Sequence, residues 1–76
     1  MKFEVGNTVT LEDGAKYKVL ETAIARGMTI FYCRSEDDTV EMYVGEQPKA
    51  DGTYEYITAE NPEAIKELKA VFNHNN

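Results

Sequence analysis

The apolar residues of this chain recur mostly at every second position as far as Ile57, and at every third or fourth position from Ile65 onward. A step of two puts side chains on one face of an extended strand, and steps of three and four put them on one face of a helix. A chain that changes period once, near its end, is therefore constrained to several strands followed by one helix.

The strands follow from their punctuation. Residues 8–11, Thr-Val-Thr-Leu, alternate polar and apolar before Glu12-Asp13-Gly14, where Asp-Gly is a strong hairpin signal because both residues tolerate positive φ. Residues 17–24 are rich in strand formers and close at Ala25-Arg26-Gly27, with the glycine supplying the turn. Residues 28–34 carry apolar side chains on both faces, as expected of a central strand. Ser35-Glu36-Asp37-Asp38 interrupts, and residues 39–44 resume with Val40, Met42 and Val44 on one face. A polar connection from Gly45 to Ala50, broken by Pro48, leads to a second Asp-Gly at Asp51-Gly52 and a fifth strand over 53–57, placed at an edge.

The helix is signposted at its start. Asn61 suits the N-cap, Pro62 the first helical position and Glu63 the positive end of the dipole. Ile65, Leu68, Val71 and Phe72 form its apolar stripe, opposite Glu63, Lys66, Glu67 and Lys69. The expected class is α+β: a five-stranded antiparallel meander with one C-terminal amphipathic helix packed on it, the sheet either open or partly closed as a barrel of the SH3 type. Residues 1–72 form a single domain and residues 73–76 a frayed tail.

Composition narrows the class further. With 76 residues, 42% hydrophobic and 29% charged, the chain has too much Val, Ile, Tyr and Phe for a disordered tail and lacks the apolar run of about 20 residues that a membrane helix needs. Fourteen acids against eight bases give a net charge of -6, which disfavours direct binding of nucleic acid. Cys33 is the only cysteine, so no intrachain disulfide staples the fold. The opening residues, Met-Lys-Phe-Glu-Val-Gly-Asn, do not read as a secretory signal, and a cytoplasmic setting is the default.

In this order the segments resemble a family of small acidic bacterial proteins that form a domain of unknown function. The resemblance runs through Val9-Thr10-Leu11-Glu12-Asp13-Gly14, Tyr17-Lys18-Val19-Leu20-Glu21-Thr22, Gly27 with Ile30-Phe31-Tyr32, Val40-Glu41-Met42-Tyr43-Val44, Asp51-Gly52-Thr53-Tyr54-Glu55-Tyr56-Ile57 and the closing Val71-Phe72-Asn73. It implies the fold and a bacterial cytoplasmic setting, and it carries no catalytic residue and no cofactor.

The residues offer little chemistry. Nucleophilic catalysis needs a thiol or hydroxyl beside an oriented base, but Cys33 lies within a strand and His74, the only histidine, in the tail. One Cys and one His so far apart do not make a zinc site, and Glu36-Asp37-Asp38 lacks the alternating acids and central glycine of a calcium loop, so it reads as a solvated turn. Glycines 6, 14, 27, 45 and 52 are isolated and each marks a turn, not a phosphate cradle. A chain of this length is expected scarcely to enclose a pocket of the few hundred cubic ångströms that small-molecule sites need, which argues against an enzyme. Tyr17, Phe31, Tyr32, Tyr43, Tyr54 and Tyr56 all fall on strands; beside Glu41 or Glu55 three of them could cage a cation, but strand formation and ring burial account for them more simply.

What remains is a non-catalytic interaction module, monomer or homodimer, that binds another protein through an exposed strand edge or a tyrosine surface made of Tyr43, Tyr54 and Tyr56. The alternative is an acidic mimic of nucleic acid that occupies the basic groove of a DNA- or RNA-binding protein.

Overall fold

A computed structural model describes residues 3–11 and 13–72. It contains β1 (Thr8–Thr10), β2 (Lys16–Ala25), β3 (Met28–Ser35), β4 (Glu41–Pro48), β5 (Tyr54–Thr58) and α1 (Pro62–Val71). The strands form one antiparallel sheet in the order β1-β2-β3-β4-β5, curled into a half-barrel. The expected α+β meander with a closing helix is therefore present, in its open form, with β1 and β5 as unjoined edges.

Three of the four hairpin connections repeat one local design. At Asp13, Asp37 and Asp51 the carboxylate Oδ1 accepts the backbone N–H two residues on, from Ala15 (2.9 Å), Thr39 (3.2 Å) and Thr53 (3.0 Å). The residue between is left-handed in each case, Gly14 at φ 79, Asp38 at φ 64 and Gly52 at φ 88. Its N–H donates back to the carbonyl three residues earlier, on Leu11, Ser35 and Lys49. Short acidic side chains favour such turns because they satisfy the backbone locally and leave the following residue free to take positive φ. The fourth connection, Arg26-Gly27, has positive φ at both residues, 53 and 74, the twist that a two-residue hairpin requires.

The sheet buries both faces. The inner face holds Phe3, Val9, Tyr17, Val19, Phe31, Cys33 and Val44, with Leu11, Met42 and Tyr56 packed against them. The outer face holds Ile30, Tyr32, Tyr43 and Phe72, with Ala23, Ala25, Met28, Ile65 and Leu68. Strand β3 supplies both clusters from alternate positions, as its two-sided apolar pattern predicts.

A bulge at Leu20 makes this possible. Val19 pairs with Cys33 but Glu21 pairs with Tyr32, so Leu20 is an extra residue on β2. Tyr17 and Val19 consequently face inward, while Ala23 and Ala25, which would otherwise follow them, turn outward beneath the helix. Small side chains there let α1 approach the sheet.

The helix begins as its sequence indicates: Asn61 Oδ1 accepts the Glu63 N–H at 2.9 Å and Pro62 opens the first turn. Ile65, Leu68 and Phe72 face the sheet, whereas Val71 is exposed, which corrects its place in the expected stripe. Phe72 reaches the core as the C-cap, with its N–H bonded to the Leu68 carbonyl.

Two further expectations are corrected. Strand β4 starts at Glu41, leaving Val40 exposed outside it, and continues through Gly45 to Pro48. Pro48 is tolerated because its ring nitrogen faces the side on which β3 has already ended, the last β3–β4 pair being Thr29 with Glu46. Gly45 marks no turn; a Cβ at this mid-strand position would lie 2.7 Å from Met28 Sδ, so the glycine makes room for a side chain crossing the sheet. The helix covers only the outer face, and Phe3, from the segment before β1, fills the inner one.

Candidate functional site

The open side of the half-barrel runs along β5. Lys49 N–H donates to the Thr53 carbonyl and Ala59 N–H to the Tyr43 carbonyl, both at 2.8 Å. Because bonded positions alternate along an antiparallel pair, Glu55 and Ile57 also point their backbone groups into β4. The N–H and C=O groups of Tyr54, Tyr56 and Thr58 therefore point away from the sheet, and no described strand lies beyond them.

Beside this edge lies an open depression of about 390 Å³ between β5 and the first hairpin. Leu11, Met42 and Tyr56 give it an apolar floor, and Asp13, Glu55 and Glu60 give it an acidic rim. Asp13 is held in place, since its Oδ1 takes the Ala15 N–H and its Oδ2 takes the Tyr17 hydroxyl at 3.1 Å. Burial, reinforced by that acceptor, raises the Tyr17 pKa above its ordinary value. Tyr56 is fixed on two sides: its ring stacks on Phe3, and its hydroxyl donates to Glu46 Oε2 at 3.0 Å.

The three tyrosines named from sequence do not converge. Tyr54 is 54% exposed at the start of β5 and Tyr56 is half-buried beside it. Tyr43 is only 2% exposed and lies on the outer face under the helix, against Tyr32 and Phe72, so it belongs to the core and not to an exposed surface. Its hydroxyl is buried without a hydrogen-bond partner, and burial pushes its pKa up to about 12. A cation cage beside Glu41 is likewise absent among the described residues, because Tyr32 and Tyr43 are closed over by Phe72.

A second polar cluster flanks the outer core. Arg34 donates from Nε to the Tyr32 hydroxyl (2.7 Å) and from its two Nη atoms to Glu41 Oε1 (2.8 Å) and the Asp38 carbonyl (2.9 Å). Lys69 Nζ lies 3.8 Å from Glu41 Oε2. These contacts tie the β3–β4 turn and the helix end to the sheet. An open depression of about 340 Å³ adjoins the cluster, and like the first it is a surface depression and not an enclosed pocket.

Cys33 is fully buried on the inner face, and burial pushes its thiol up to about 11, which keeps it protonated at neutral pH. His74 lies outside the described residues. Among the described residues no group of three or more His, Cys, Asp or Glu side chains is placed to hold a metal ion, and no helix is long and apolar enough to cross a membrane.

Comparison with protein-family models, curated proteins and solved structures finds no match for this chain.

Proposed function

We propose that this protein is a non-catalytic interaction module that receives an extended segment of a partner protein along β5. The observation that carries this reading is the outward edge at Tyr54, Tyr56 and Thr58, lying beside a depression with an apolar floor. Edge strands normally carry devices that prevent pairing, such as a lysine, a proline or a covering loop. Within Tyr54–Thr58 there is no lysine and no proline, the single charged side chain is Glu55, and Tyr54 and Ile57 are exposed. Main-chain pairing supplies affinity in such recognition, and alternate side chains entering pockets supply specificity.

The double variant Tyr54→Pro/Thr58→Pro removes two outward N–H donors and leaves the β4–β5 bonds at Glu55 and Ile57 intact. A partner retained by the natural protein and released by a folded edge-proline variant supports the module. Equal retention by both would place binding elsewhere on the surface.

A further inference from the structure

We infer that the segment received at β5 is basic, an extended strand in which lysine or arginine alternates with apolar residues. This rests on the edge reading above and adds the chemistry of the occupant. The depression beside β5 is rimmed by Asp13, Glu55 and Glu60, and neither lysine nor arginine lines it. Among the described residues Glu55 and Glu60 have no cationic partner, in contrast to Glu41 and Glu67, which pair with Arg34 and Arg26. An extended segment beside β5 directs alternate side chains to opposite faces. One set falls on the apolar floor of Leu11, Met42 and Tyr56. The other set falls on the side of Glu55 and Ile57, which alternate with Tyr56 along the strand, and Glu55 is the charge it meets there. Apolar side chains suit the first set and cations the second. A second copy of this chain fits less well: it carries the same net charge of -6, and the two-fold register that centres β5 against β5 on Glu55 sets two carboxylates opposite each other.

The test is selection of displayed random peptides on the full chain, followed by affinity measurements with the enriched peptides. Selected sequences should alternate Lys or Arg with Val, Ile or Leu. Their amide perturbations should map to β5, high salt should weaken their binding to the natural protein, and Glu55→Gln/Glu60→Gln should weaken it about tenfold at low salt and lose much of that salt dependence while leaving the fold unchanged. Enrichment of acidic or uncharged sequences that still require the β5 edge overturns the basic occupant and leaves the edge reading standing. Basic peptides that bind Tyr54→Pro/Thr58→Pro as well as the natural protein overturn the edge reading, and with it the occupant. Selection of no peptide overturns the inference.

Discussion

Phe3 and Tyr56 stack with ring centroids 4.2 Å apart and planes inclined by 22°, joining the segment before β1 to the opposite edge strand. Phe3 also meets Phe31 at 5.4 Å, so one side chain bridges the middle of the sheet and its far edge. Phe3→Ala should cost roughly 3 kcal/mol, the usual range for a buried aromatic. Urea denaturation gives the loss, and amide exchange should show β5 loosening more than β2. Equal loosening of both strands would mean that Phe3 merely fills space.

Tyr43→Phe should be neutral or should raise stability by up to about 1 kcal/mol, since it removes a buried hydroxyl that has no partner. Tyr32→Phe should do the opposite, because its hydroxyl accepts from Arg34 Nε and donates to Glu41 Oε1. Denaturation midpoints of the two variants against the natural protein decide the matter.

Asp37 and Asp51 link stability to pH. Hydrogen bonds from the Thr39 and Thr53 hydroxyls and backbone N–H groups hold both carboxyls below the ordinary value of 3.8 in the folded state. The unfolded chain thus binds these protons first, so stability is full above the ordinary value and is lost as the pH falls through the lowered folded values. Asp37→Asn/Asp51→Asn can still accept at Oδ1 but cannot titrate. Its urea midpoint should depend less on pH below about 4 than that of the natural protein.

Cys33 should titrate in the opposite sense. Its thiol is raised from 9.0 to about 11, so the unfolded chain ionises first and stability declines between these values as the pH rises. At pH 8 the native thiol should react with a disulfide reagent only through opening of the fold. Rapid labelling under native conditions would contradict its burial.

Gly45→Ala should cost about 1 kcal/mol or less, because the new methyl meets Met28 Sδ, the outer part of a flexible side chain that can shift aside. Combining it with Met28→Ala should cost less than the sum of the two single changes, a coupling that a double-mutant cycle measures.

The turns, the helix cap and the two-sided β3 were legible because each is decided by neighbours in sequence. Asp51-Gly52 makes its turn whatever lies across the sheet, and Asn61 caps whatever α1 packs on. Leu20, Gly45 and Pro48 were not legible because their roles are set by residues paired across strands. The bulge at Leu20 is defined only by the register of Val19 and Glu21 on β3, and Gly45 is required only because Met28 crosses it. Tyr43 shows the same limit at the candidate site, since alternation places it on a face but does not reveal that Phe72 covers that face. The β5 edge was legible as a strand end, whereas the depression beside it depends on the curl that brings Leu11 and Asp13 round.

The strand order has a kinetic consequence. Every ladder in the sheet joins strands adjacent in the chain, so each closes only a short loop. The sheet should therefore assemble hairpin by hairpin at a rate high for a β-rich protein. The seating of Phe3 on Tyr56, more than fifty residues apart in the chain, would come late. Mutations at that stack should accelerate unfolding while leaving the folding rate nearly unchanged.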